Sequence, residues 1–137
     1  MNRVINATVL SNFAAVTQLN ILQVSAGPLY LPVEVYDELV AGRLGGYSFY
    51  DSIEQHIEPF VSGGWLRLVS MVDSELRLSL TLPRLLHAGE RACLSIARQR
   101  SWGLLTDDRS ARQQAAAWNI PLSGTIGVLL EAIENNV

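Results

Sequence analysis

Apolar positions along this chain alternate between two spacings. Val4-Ile5 is a short apolar run that predicts a buried strand, and Val9, Phe13 and Val16, with Leu10 and Ala14 beside them, recur at helical intervals. Gly27-Pro28 interrupts that pattern, and Leu29-Tyr30-Leu31 predicts a second strand. Pro32 then suits the first turn of a helix, where its missing N–H costs nothing. Val35, Tyr36, Leu39 and Val40 give that helix one apolar face, and Gly42 is expected to end it. Tyr47 to Phe60 predicts a further helix closed by Ser62-Gly63-Gly64, and Leu66-Arg67-Leu68-Val69 predicts a strand. Residues 72–86 stay open between a helix and irregular structure. Beyond Gly89 the pattern sharpens: Ala92, Cys93, Ile96 and Ala97 form a helical stripe, Leu104-Leu105 a strand, and Ala111, Ala115 and Trp118 another stripe. A short Ile120-Pro121-Leu122 segment follows, and a last helix is expected after Ser123-Gly124-Thr125. Short apolar strands alternating with amphipathic helices imply a parallel sheet covered on both faces. The expected fold class is α/β, three layers in the order α/β/α. No repeat, charge block or low-complexity stretch interrupts residues 1–137, which read as a single domain.

Composition narrows the chemistry. Of 137 residues, 49% are apolar and 17% charged, which favours a packed core over disorder. Ten basic residues against thirteen acidic ones leave a net charge of −3, which excludes coating nucleic acid by bulk charge. All ten basic residues are arginine, so Schiff-base chemistry and a phosphate-loop lysine are excluded. The single Cys93 permits no disulfide within the chain, which fits a reducing compartment. Cys93, His56 and His87 are too few for a tetrahedral zinc site of thiolate and imidazole, and no Gly-x-Ser-x-Gly elbow occurs. The opening residues are too interrupted by Asn and Thr for a signal-peptide core, and no run approaches the ~18 apolar residues of a membrane helix. A cytoplasmic protein without a membrane partner is expected.

Ligands of open parallel sheets bind beyond the carboxyl ends of the strands. That rule selects Asn6-Ala7-Thr8 after the first strand and Thr106-Asp107-Asp108 after Leu104-Leu105, with Glu38 and Glu90 in the opening turns of helices. Each carboxylate alone is an ordinary capping or dipole residue. Together they would repel unless a cation neutralised them, and an all-oxygen cluster selects a hard ion such as Mg²⁺ or Mn²⁺.

At these residues the chain resembles the PIN-domain family, in particular its small prokaryotic toxin-like (VapC-like) branch. Val4-Ile5-Asn6-Ala7-Thr8-Val9-Leu10 is similar to a strand ending in Asp-x-Ser/Thr-x-Leu, and Leu31-Pro32-Val33-Glu34-Val35-Tyr36-Asp37-Glu38-Leu39 to the second motif, with its acid on Glu38. Gly89-Glu90-Arg91-Ala92 resembles the third, with its acid on Glu90, and Leu105-Thr106-Asp107-Asp108-Arg109 the fourth, where Thr-x-Asp points to Asp108. Gly124-Thr125-Ile126-Gly127-Val128-Leu129 also fits this branch. The resemblance covers most of the chain, least across residues 44–86. It implies a PIN-like domain that hydrolyses phosphodiester bonds in single-stranded RNA with Mg²⁺ or Mn²⁺. Asn6, Glu38, Glu90 and Asp108 would be catalytic and, with Asp107, metal-binding; Thr8 and Thr106 would orient the cluster. It also implies the toxin half of a toxin–antitoxin pair, with an antitoxin protein as a partner, and a homodimer. Position 6 departs from the pattern, an amide standing where the family has a carboxylate. The competing reading is therefore a catalytically degenerate PIN-like domain kept for binding RNA or protein. An unrelated α/β phosphatase lacks support, since no Asp-x-Asp pair follows a strand.

Residues 84–112 hold six of the ten arginines, opposed there only by Glu90, Asp107 and Asp108. Arg84, Arg91, Arg109 and Arg112 are the candidate RNA contacts on a basic rim, and Arg98 and Arg100 belong to the same run. Cys93 reads as a packed thiol, Trp102 and Trp118 as core or interface, Trp65 as a more exposed residue suited to a dimer surface, and His56 as surface.

Overall fold

A computed structural model describes residues 1–44, 46 and 49–135. Six short strands arise where apolar runs escape water on both faces: β1 (Arg3–Ile5), β2 (Leu29–Pro32), β3 (Ile57–Glu58), β4 (Leu66–Val69), β5 (Gly103–Leu105) and β6 (Leu122–Ser123). They form one sheet in the order β3-β4-β2-β1-β5-β6, and every pairing is parallel. Val4 and Ile5, which project to opposite faces of β1, are both fully buried, so helices cover the sheet on either side. These are α1 (Ala7–Ala15), α2 (Leu19–Ser25), α3 (Val33–Leu44), α4 (Tyr50–Glu54), α5 (Asp73–Ser79), α6 (Ala88–Arg100), α7 (Arg109–Ala117) and α8 (Thr125–Glu134). The three-layer α/β expectation holds. Among the described residues no helix is long and apolar enough to cross a membrane.

The topology places the site. The chain runs outward from β1 through β2 to β4 and β3, then returns through α6 to β5 on the other side of β1. Val4 lies level with Tyr30 on one side and Leu104 on the other. The direction of winding therefore reverses between β1 and β5, whose carboxyl ends open side by side.

Several local expectations are corrected. The first helix stops at Ala15, because Thr17 takes φ 57°, and Val16 is left exposed as its C-cap. Pro32 closes β2 opposite Val69 rather than opening α3, and α3 runs through Gly42 to Leu44, since one glycine costs a helix only ~1 kcal/mol. Of the helix expected from Tyr47 to Phe60, only Tyr50–Glu54 forms. Ile57 is drawn instead into an edge pairing with Leu66, which buries it completely, and Tyr47 and Ser48 lie outside the described residues. The open stretch 72–86 becomes α5 followed by turns, and the segment at 120–122 pairs only from Leu122. His56 sits in the turn before β3, partly buried, with its ring 5.5 Å from that of Trp65, which is likewise partly buried.

One ion pair fastens α5 to α6. Glu75 is 1% exposed; it accepts from Arg100 Nε at 2.6 Å, Arg100 Nη2 at 2.8 Å and the Val72 amide at 2.8 Å. Arg100 also donates to Ser70 O and lies 5.0 Å over the Trp102 ring. Burial pushes the Glu75 carboxyl up, but the Arg100 guanidinium and the Val72 N–H outweigh it and hold it below the ordinary 4.5. Arg100→Met should leave a buried carboxylate unpaired and destabilise the fold by about 3 kcal/mol, the low end for a broken buried pair because Arg100 keeps some exposure. A carboxyl held below its unfolded value stabilises above pH ~4.5 and loses that contribution as the pH falls. Thermal melts should therefore show the deficit at pH 7 and see it shrink at pH 3–4; equal deficits at both would contradict the pairing.

Candidate functional site

Strand ends and helix starts meet at the β1/β5 crevice. The Asn6 amide donates to Leu105 O at 2.9 Å, which extends the β1–β5 ladder by one residue. Asn6 is 3% exposed and caps α1 with its side chain: Oδ1 accepts from Ala7 N at 2.7 Å, as asparagine does at helix starts. Its Nδ2 donates to Thr106 Oγ1 at 3.0 Å. Thr106, fully buried, also accepts there from the Asp108 amide at 3.1 Å. Asp108 Oδ2 in turn accepts from Ala111 N at 2.8 Å and caps α7.

Two glutamates come from the helices alongside. Glu90, in the first turn of α6, is 6% exposed with His87 Nε2 at 3.6 Å. Burial raises its carboxyl above the ordinary 4.5, and the nearby Asp108 raises it further. Glu38 accepts from the Gly89 amide at 3.1 Å. A Cβ at position 89 would meet the carboxylate end of Glu38, so a larger residue there would displace that side chain from the Gly89 amide. Loss of hydration raises the Glu38 carboxyl too, against the opposing pull of the Gly89 N–H and His87. Beneath lies Cys93, fully buried with Sγ 3.7 Å from Ile5 O; burial pushes its thiol well up, and Glu38, Glu34 and Glu90 add to the shift. Glu34 therefore belongs to the acidic surroundings, one turn before Glu38 on α3. Its signal in the sequence was that i, i+4 spacing.

The remaining candidates are dispersed. Asp107 holds the start of α8, accepting from Thr125 N at 2.8 Å and from Asn12 Nδ2 at 3.1 Å, with the Thr125 hydroxyl as a third donor. Arg112 donates to Thr106 O at 2.8 Å, which ties its guanidinium to the β5 end. Arg98 lies 4.3 Å over the Trp118 ring, and Arg100 is taken by Glu75, so the basic run splits into structural and available members. Arg84 and Arg109 are exposed and Arg91 is partly buried. Thr8 is exposed on α1, with no hydrogen-bond partner for its hydroxyl among the described residues. Thus Glu90 and Asp108 are brought together, with Asn6 and Glu38 beside them. Among the described residues, no three His, Cys, Asp or Glu side chains already form a metal-holding group. The donors are nonetheless all oxygen, and the Glu90 and Asp108 carboxylates repel each other, a set whose chemistry would fit a hard divalent cation.

A family model described as a PIN domain (DUF3368) matches residues 2–137. Among solved structures, the chain is similar to one from the crystal structure of VapBC2 from Rickettsia felis bound to a DNA fragment from their promoter. The TM-score is 0.65 at 13% identity, covering 90% of this chain and 98% of that one. It is also similar to PAE2754 from Pyrobaculum aerophilum, at TM-score 0.60 and 16% identity over 97% of this chain and 90% of that one. No curated protein sequence matches it significantly.

The charge on Glu90 is testable without a ligand. A carboxyl raised in the fold stabilises when protonated, below the unfolded 4.5, and loses that contribution as the pH rises through its raised value. Glu90→Gln should accordingly melt higher than the wild type at pH 7, and the two should converge at pH 4. A mutant less stable at pH 7 would mean that the helix dipole, worth ~0.3–1 kcal/mol to this first-turn anion, dominates instead.

Proposed function

Because the chain belongs to the PIN-domain family, we propose that it is a nuclease hydrolysing phosphodiester bonds in single-stranded RNA with Mg²⁺ or Mn²⁺. The observation that carries this reading is Glu90, raised by its burial and then by Asp108, with Glu38 and Asn6 nearby at the reversal point of the sheet. Glu38, Glu90 and Asp108 would hold the ion once Glu38 swings from the Gly89 amide, while Asp107 would join only by releasing Thr125. A divalent ion there would supply a bound water of lowered pKa and offset charge on the attacked phosphate. His87, exposed beside Glu90, and Arg84, Arg91 and Arg109 would offer positive charge to a polyanion. Thr106 fixes the relative placement of Asn6 and Asp108 through its single hydroxyl.

A toxin role follows the same line, supported by likeness to a chain of the VapBC2 complex, and an antitoxin protein is the proposed partner. A twofold homodimer is proposed with it. Ile126, Leu130 and Ile133 stand exposed at i, i+4 and i+7 on α8, a strip that a second copy would cover. Light scattering at tens of micromolar should give about twice the 15.1 kDa of one chain; a single-chain mass would overturn the pairing.

A degenerate binding domain remains the second reading, favoured by one observation: both polar ends of the Asn6 amide are already engaged, with Ala7 N and with Thr106. Asn6→Asp separates the two. Without metal the added anion should lower the melting temperature, both by repulsion and by loss of the donor to Thr106. With Mn²⁺ the order should reverse, since a ligand at 100 times its Kd adds ~2.7 kcal/mol to the native state. Cleavage of a fluorescent single-stranded RNA should appear or increase in the mutant. A deficit of the same size in chelator and in Mn²⁺ would mean that position 6 faces no cation.

A further inference from the structure

Beside the acidic centre, between α3, α5 and α6, lies a cavity of about 220 Å³ lined by Glu34, Met71, Leu76, Ser79, Ala88 and Arg91. Glu34 is one turn before Glu38 on α3, and Arg91 directly follows Glu90 on α6. Five buried side-chain polar atoms among the described residues have no hydrogen-bond partner. Only two of them belong to charged side chains, Glu34 Oε1 and Arg91 Nε, and both of these residues line this one cavity. Folded proteins seldom leave such atoms unpaired, because each carries its full desolvation penalty. A ligand that satisfied both would remove two penalties at once.

The chemistry of that ligand is constrained from both ends. A carboxylate needs donors and a guanidinium needs acceptors. Facing both, an anion or a cation would be attracted by one wall and repelled by the other. A neutral group with a donor edge next to an acceptor edge suffers neither conflict. The volume lies below the ~300–1,000 Å³ of sites that enclose a drug-sized ligand, so it admits a fragment, and Met71 and Leu76 offer apolar surface to a flat ring. Guanine is the common RNA base with two adjacent donors, N1–H and N2–H, matched to a carboxylate, and its O6 and N7 are the usual acceptors for arginine. Adenine and cytosine each present one amino group there, and uracil one N–H. Unstacked bases in single-stranded RNA are read on these edges.

We propose that the cavity between Glu34 and Arg91 is a guanine-recognition pocket that seats one base of the RNA beside the acidic centre, Glu34 accepting from N1–H and N2–H and Arg91 donating to O6. Its placement on an RNA substrate rests on the nuclease reading; its selectivity for the base does not. Calorimetric titration of the full chain with 5′-GMP, 5′-AMP, 5′-CMP and 5′-UMP, in chelator, tests it without any reaction. 5′-GMP should bind at least tenfold more tightly than the other three. Glu34→Gln, checked for folding by its melting curve, should erase that preference, because it sets an amide N–H against a base N–H. Equal binding of all four, no binding at millimolar concentration, or an unchanged preference in Glu34→Gln overturns the pocket. Tighter binding of free L-arginine than of 5′-GMP overturns it as well, and assigns the cavity to a side chain of a protein partner. Selective binding by a chain that cuts no RNA supports the pocket and removes the nuclease reading. Cleavage of RNA by a chain that does not discriminate among the four nucleotides does the reverse.

Discussion

The hydroxyl of Thr106 accepts two hydrogen bonds, one from the Asn6 side chain and one from the Asp108 amide, at a fully buried point. Much of the site depends on that junction. Asn6 starts α1 and Asp108 starts α7, so a single oxygen sets the distance between two helix origins separated by about a hundred residues of sequence. The parallel pairing of β1 with β5 brings the residues level, and the hydroxyl fixes their side chains. Without it, Asn6 Nδ2 would be a buried donor lacking a partner, a loss of ~1–3 kcal/mol.

Around this junction the fold tolerates charges that oppose it. Glu90 and Glu38 are both held above their ordinary protonation range, and among the described residues neither is paired with an arginine. The contrast with Glu75 is instructive. That carboxylate is more deeply buried than Glu90, yet it is held low because Arg100 grips it with two nitrogens. One acid serves the packing of α5 on α6, while the others stay unrelieved at the mouth of the sheet. Perturbed carboxylates gathered at a crevice are the usual mark of a functional site, and their distribution here follows that rule.

What the sequence disclosed was whatever its local pattern controlled. β1, β4, β5 and α6 follow directly from apolar spacing, and the carboxyl-end rule points to Asn6 and Asp108, which the β1–β5 pairing does set side by side. Where partners lie far apart in the chain, the pattern misleads. Ile57 reads as helical until Leu66 offers it a sheet edge. Arg100 reads as part of a basic rim until Glu75, 25 residues earlier, neutralises it. Asp107 and Asp108 are neighbours in sequence, yet one holds the start of α8 and the other the start of α7, a division explained by the start of α8 meeting the turn that follows β5. Glu34 was passed over because an acid in the first turn of a helix has an ordinary explanation of its own.

The lone thiol of the chain lies under the acidic centre, packed against the end of β1 and pushed by its burial, and then by its carboxylate neighbours, away from the thiolate form. Alkylating reagents and oxidants attack the thiolate, so in the closed protein this sulfur is chemically silent. It gains reactivity only when α6 lifts from the sheet and water reaches it. The rate at which Cys93 is labelled thus reports the opening of the layer that carries Glu90, a clock for local breathing built into the floor of the site.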